Sequence, residues 1–225
     1  MEIDFVKQKL ALHVPERKKE PGVNQAAVAV VLRERAGTTE VLLIERALRE
    51  GDPWSGHMAF PGGRIEPGDD STRSAASRET FEEVGVALSE ADYLGRVADR
   101  VGNPRIQSRL IISAHAFHLQ ADQDFVLEES EVQSAFWFPL LEMHAEERLV
   151  DYAVPQMPKV RFPGILVGEP TRHIVWGLTY GFLEDFFTLL ERPLPPRKDN
   201  WAEVRAEEEE AGQREELEEP EGRGA

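Results

Sequence analysis

The stretch from Pro61 to Val86, PGGRIEPGDDSTRSAASRETFEEVGV, decides how the chain is read. Near its end stand Glu79, Glu82 and Glu83, spaced i, i+3 and i+4. On a helix that spacing lays three carboxylates along one face. Anions so close repel one another unless a cation lies between them, and an all-oxygen set suits Mg2+ or Mn2+. Ahead of the helix, Gly62 and Gly63 lack a Cβ and let backbone approach a ligand closely. A cation-holding helix beside a bare-backbone loop is equipment for phosphate chemistry.

The composition narrows the class. At 225 residues the chain suits one medium domain with appendages. Its formal net charge of −16 disfavours nonspecific binding to nucleic acid or to an anionic membrane. That charge is compatible with a phosphorylated substrate, because bound divalent ions reverse the local sign. No cysteine is present, which excludes disulfides and thiol chemistry. The start, Met1-Glu2-Ile3-Asp4, lacks the basic and apolar regions of a secretory signal, and no apolar run reaches membrane-spanning length. A soluble, cytoplasmic protein is expected, with a homodimer left open.

Around the central stretch the elements alternate. Phe5, Val6 and Leu10 carry helical spacing within 3–13, and a polar connector ends at Pro21-Gly22. Residues 25–33 read as a buried strand, 40–45 as its partner across Gly37-Thr38-Thr39, and 57–60 as a short strand. The helix is expected over 71–84, with Asp69, Asp70 or Ser71 as N-cap and Gly85 as its stop. Strands are expected at 93–101, 108–119 and 132–138, the last followed by Pro139 and a short helix. Residues 173–190 are apolar all round and predict a long packed helix. Strands mixed with two substantial helices imply an α/β or α+β layered domain. Pro193, Pro195 and Pro196 open a linker, and residues 201–225 hold ten glutamates against three arginines. This tail is expected to be disordered or a solvated helix. The division is therefore an N-terminal helix and connector over 1–22, a main domain over 23–192, and a linker with an acidic tail over 193–225.

The central pattern resembles the Nudix box of the Nudix hydrolases, G-x5-E-x7-R-E-U-x-E-E-x-G-U. Gly63 opens it, Asp69 stands at the first glutamate, and eight residues separate Asp69 from Arg78. Arg78-Glu79, Thr80, Glu82-Glu83, Gly85 and Val86 follow in order. The longer loop resembles a subgroup with one additional residue there. The resemblance implies an αβα sandwich with a central mixed sheet, and hydrolysis of a diphosphate in a nucleoside diphosphate derivative. It implies that Glu79, Glu82 and Glu83 hold the metal, with the Gly62 carbonyl as a further ligand. Arg78 would pair with a box glutamate and orient it. Asp69 is expected to cap the helix rather than shape the box. The base that takes the proton of water is a box glutamate or an acid among Glu128, Glu129 and Glu131, of which Glu131 is favoured because it opens a strand.

A second resemblance lies upstream. LLIERALREGDPWSGHMAFPGG, from Leu42 to Gly63, is similar to the L-L-T-x-R-S-A-x3-R-x3-G-x3-F-P-G-G segment of the coenzyme A pyrophosphatase subgroup. Asp52 stands where the second arginine belongs, which swaps a phosphate-binding fork for an anion. Arg46, Arg49 and Arg64 are the nearby cations. Trp54 either stacks on an adenine ring or plugs an apolar gap. His57 reads as structural before phosphate-donating. Trp176-Gly177-Leu178-Thr179 also resembles the closing helix of that subgroup. The rival substrates are ADP-ribose and NADH, and the rival class is a non-catalytic nucleotide sensor on the same fold.

Overall fold

The computed structural model describes residues 1–18, 20, 22–52, 54–102, 110–154, 157–204 and 206. The acidic stretch from 207 onward, Pro21, Pro53 and the first two residues of the strand expected at 108–119 lie outside them.

The architecture grows from one hairpin. β1 (Asn24–Arg35) and β2 (Thr38–Arg46) turn at Ala36 and Gly37, both at positive φ, 51° and 75°. Positive φ at both central residues matches the right-handed twist of paired strands. Thr38 and Thr39, expected in the turn, therefore belong to β2. Side chains alternate along both strands: Val30, Leu32, Val41 and Leu43 face one core, and Ala29, Val31, Leu42 and Ile44 face the other. Apolar burial on both faces requires cover on both sides of the sheet.

That cover makes the three layers. On one face α2 (Thr72–Val84) packs Ala75, Ala76 and Val84 against the hairpin. On the other, α1 (Ile3–Leu12) buries Ile3, Val6 and Leu10, and α3 (Gly177–Leu189) buries Phe182, Leu183, Phe186 and Phe187. The result is the expected αβα sandwich, with α1 in the same core as α3.

Away from its turn the hairpin opens like a fork. β1 and β2 pair only from Leu32/Val41 to Arg35/Thr38. Beyond that point β3 (Met58–Ala59) pairs with β2 at Ile44 and Glu45, while β4 (Gly62–Arg64) pairs with β1 at Ala26, Ala27 and Val28. The glycine loop is thus wedged into the sheet. Gly62 is required there, because a β-carbon would collide with the Ala27 carbonyl oxygen. The rest of the sheet is β6 (Leu110–His118), parallel to β1; β5 (Tyr93–Val101), antiparallel to β6; and β7 (Val132–Pro139), antiparallel to β2.

A second sheet of β8 (Leu149–Tyr152), β9 (Phe162–Leu166) and β10 (Ile174–Trp176) was not foreseen. It corrects the helix expected over 173–190. Ile174, Val175 and Trp176 are good strand formers and pair with β9, and the helix starts only at Gly177. Residues 201–204, at the head of the expected disordered tail, are helical.

Candidate active site

The helix that carries the acids is fixed at both ends. Ser71 is its N-cap: the hydroxyl accepts from the Ser74 N–H at 3.1 Å, and the Ser74 hydroxyl accepts from the Ser71 N–H at 2.9 Å. This reciprocal box contributes about 1 kcal/mol. Gly85 closes the helix in the left-handed conformation at φ 73°. Asp69 is not the cap. Its two oxygens take the Arg78 fork, Nε at 3.1 Å and Nη2 at 2.9 Å, so it shapes the box by anchoring an arginine. The longer loop between Asp69 and Arg78 carries the cap and leaves Asp69 free to reach back.

Arg78 stands among the acids. Its Nη1 meets Glu82 at 2.7 Å and Glu79 at 3.0 Å, and its Nη2 also donates to the Arg64 carbonyl at 3.0 Å. Its pKa is raised, first by the Asp69 hydrogen bonds. Glu83 lies deeper, only 2% exposed, with its carboxylate accepting the Gly62 N–H at 2.9 Å. Burial pushes Glu83 up to about 8, against the Gly62 hydrogen bond and the Arg46 charge, and the Glu79 and Glu131 charges push it further. Glu79 is raised as well, by burial first, with Glu82 and Glu131 adding repulsion. Glu82 is half exposed.

The three box carboxylates do not form a closed cage. Among the described residues no three acidic or histidine side chains converge tightly enough to enclose a cation. The reason is visible: Arg78 draws Glu79 and Glu82, and Gly62 draws Glu83. The residues nonetheless suit a hard divalent ion. All donors are oxygen, the buried Glu83 is bonded to no cationic side chain among the described residues, and the place of a Gly63 side chain is filled by the Glu79 carboxylate.

Glu131 joins this site from β7's end. Its carbonyl accepts the Ala47 N–H at 2.8 Å, and its carboxylate meets Arg49 Nη2 at 3.4 Å. Its charge reaches both Glu79 and Glu83. Glu128 instead turns to its own loop, accepting from the Ser130 hydroxyl at 2.7 Å. The cations differ in state. Arg46 Nη2 is 3.2 Å from Asp52, while its Nε is buried without a partner among the described residues. Arg49 Nε donates to the Ser130 carbonyl at 2.7 Å. The Arg64 guanidinium has no acidic partner among the described residues. Trp54 is 43% exposed, so it is not a plug. His57 packs edge-on to Trp176 at 4.9 Å, and burial lowers its pKa. Trp176 also meets Tyr152 and Phe162, each at 5.2 Å, and serves as packing at the head of α3.

Two relationships escaped sequence reading. One is the Ala27 carbonyl that forces glycine at 62; strand pairing alone reveals it. The other is buried Glu45, bound by the Arg172 fork at 2.6 and 2.8 Å and by the Ser134 hydroxyl at 2.8 Å. Glu45 pairs across the sheet with Ser134, and Arg172 comes from a distant loop, so no local signal exists.

Fold and site together define an αβα sandwich whose acidic helix is laid against a glycine strand held in a forked hairpin. The chain belongs to the NUDIX domain family, whose profile matches residues 23–160. It is 35% identical to "Peroxisomal coenzyme A diphosphatase ndx-8" of Caenorhabditis elegans, over 54% of this chain and 51% of that one. It is 29% identical to "Mitochondrial coenzyme A diphosphatase NUDT8" of Homo sapiens, over 73% and 69%. The chain covers as little as 32% of another curated relative's length. The fold is shared with the crystal structure of a MutT/nudix family protein from Enterococcus faecalis, at TM-score 0.53 and 18% identity over 83% of this chain and 68% of that one.

Proposed function

We propose that the chain is a divalent-cation-dependent hydrolase that cleaves the diphosphate of a nucleoside diphosphate derivative of the coenzyme A type. The observation that carries this reading is Glu83: a carboxylate 2% exposed, flanked by Glu79 and Glu131, with no cationic side chain bonded to it among the described residues. Retaining such a group is costly unless function needs it. Glu79, Glu82, Glu83 and the Gly62 carbonyl are the residues that would hold the ion, with Mg2+ or Mn2+ as candidates. Bound there, the ion supplies charge neutralisation to the diphosphate and acidity to water.

The chain's own groups do the rest. Arg78 holds Glu79 and Glu82 in orientation and is itself held by Asp69. The Glu131 carboxylate takes the proton from the attacking water. The water oxygen bonds to one phosphorus, and the bridging oxygen leaves on the other. Arg64 meets the anionic diphosphate, and the Trp54 ring stacks on the base. The two coenzyme A diphosphatases among the relatives support the substrate class. The domain division, a homodimer and a cytoplasmic location belong to this proposal too; among the described residues no helix is long and apolar enough to cross a membrane.

The test offers purified protein, with Mg2+ or Mn2+, coenzyme A, ADP-ribose, NADH and nucleotide sugars, and identifies products by mass. Cleavage at the P–O–P bridge that Glu83→Gln abolishes supports the reading. No cleavage of any of them, or a fully active Glu83→Gln, overturns it and favours a nucleotide sensor.

A further inference from the structure

The loop between β2 and β3 brings the Asp52 carboxylate against Arg46 at the end of β2. Arg46 lies close enough to Glu83 to stabilise its charge. Its Nη2 is nevertheless taken by Asp52 Oδ2 at 3.2 Å. Asp52 is not a chance surface acid. Its other oxygen accepts the Trp54 N–H at 2.9 Å, so both oxygens are oriented, and only a fifth of the side chain is exposed. Burial works against its ionisation, but the Trp54 N–H and Arg46 outweigh it and hold Asp52 below the ordinary carboxylate range. The second cation of the loop, Arg49, is committed as well, to the Ser130 carbonyl and to Glu131.

We propose that Asp52 is a specificity-determining residue that selects a free ribose hydroxyl over a ribose phosphate, so that the preferred substrates are nucleoside diphosphate derivatives lacking a 3′-phosphate. This deepens the reading above and rests on it for the hydrolysis.

The argument is one of charge and donors. A guanidinium with an open fork binds phosphate through two parallel hydrogen bonds. One arm of the Arg46 fork, Nη2, is occupied by Asp52, whose negative charge offsets that of the guanidinium. A dianionic phosphate set beside Asp52 meets a like charge, whereas a hydroxyl finds an acceptor there. Dinucleotide-binding sites make the same discrimination, with an acid for the ribose hydroxyl and an arginine for the phosphate. Trp54 lies two residues from Asp52 in the same loop, with its ring 43% exposed and its backbone N–H donating to Asp52; on this proposal a base stacked on that ring brings its ribose to the carboxylate. Arg64 stays available for the diphosphate, on β4 beside the acidic helix.

The experiment compares kcat/KM for coenzyme A and for 3′-dephospho-coenzyme A in the wild type, Asp52→Asn and Asp52→Arg. The wild type is expected to favour the dephospho form by about tenfold or more, the size of one unbalanced like-charge contact in a partly buried site. Asp52→Asn should narrow the ratio and Asp52→Arg should reverse it, with melting temperatures confirming that both variants fold. Equal rates on both substrates, or a ratio untouched by either substitution, overturns the inference. A second measurement is independent of turnover: calorimetric titration of 5′-AMP and of adenosine 3′,5′-bisphosphate in chelator. Tighter binding of 5′-AMP that Asp52→Arg inverts supports the role of Asp52 even if no diphosphate is cleaved, in which case only the hydrolase reading falls. Tighter binding of the bisphosphate by the wild type overturns the inference.

Discussion

Gly63 and Glu79 occupy each other's space: a β-carbon on Gly63 would overlap the Glu79 carboxylate. The acid is therefore seated by what its neighbour lacks. Gly63→Ala must push Glu79 off its place or shift β4 against β1. Misplacement on that scale at a reacting centre costs roughly a hundredfold in rate. The expected outcome is that loss in kcat/KM on the substrate found active, with a much smaller fall in melting temperature.

Arg78 is the clamp of the box. Arg78→Lys keeps the charge and loses the planar fork that Asp69 and Glu82 share. Denaturation should show a loss of about 2 kcal/mol, because Asp69 is left buried with an incomplete partner. Divalent-ion affinity, read by calorimetry, should weaken together with stability. An unchanged affinity would remove the clamp from the proposal.

Glu83 makes stability depend on pH in an unusual direction. Its folded pKa, about 8, lies above the ordinary carboxylate value of 4.5. Between those values the folded state binds more protons than the unfolded state, so stability falls as pH rises through the window. In chelator, urea unfolding should show the wild type losing stability between pH 5.5 and 8.5, and Glu83→Gln should flatten that slope. The sign for the ion is opposite: Mg2+ affinity should rise over the same range, since binding must displace the Glu83 proton.

Glu131→Gln isolates the proposed base. It should lower kcat by roughly a hundredfold or more and leave KM nearly unchanged. A kcat left unchanged by the substitution would return the role to a box glutamate.

Much of this site is legible in the chain because its determinants are local. The helix from Ser71 to Gly85 announces itself by cap, spacing and stop, and β5 runs over the residues expected of it. What stayed hidden depends on distant partners. Asp69 looks like a cap until Arg78, a few turns on, claims both its oxygens. β4 is two glycines and an arginine, a composition that predicts no strand, and it is one only because the open fork of β1 and β2 receives it. β10 has strand-forming residues that merge into an apolar helix, and only pairing with β9 separates the two. The Asp52 carboxylate was visible as a departure from a pattern, but its grip on Arg46 and on the Trp54 N–H was not.

The parallel pairing of β1 with β6, Asn24 against Leu110 through Leu32 against His118, has a consequence for biosynthesis. Every box residue leaves the ribosome before the strand that completes β1's other edge. A nascent chain stopped after α2 carries the whole acidic helix yet exposes a long, apolar strand edge. Such a fragment should stick to chaperones or aggregate, and should gain protease resistance only once translation has passed β6.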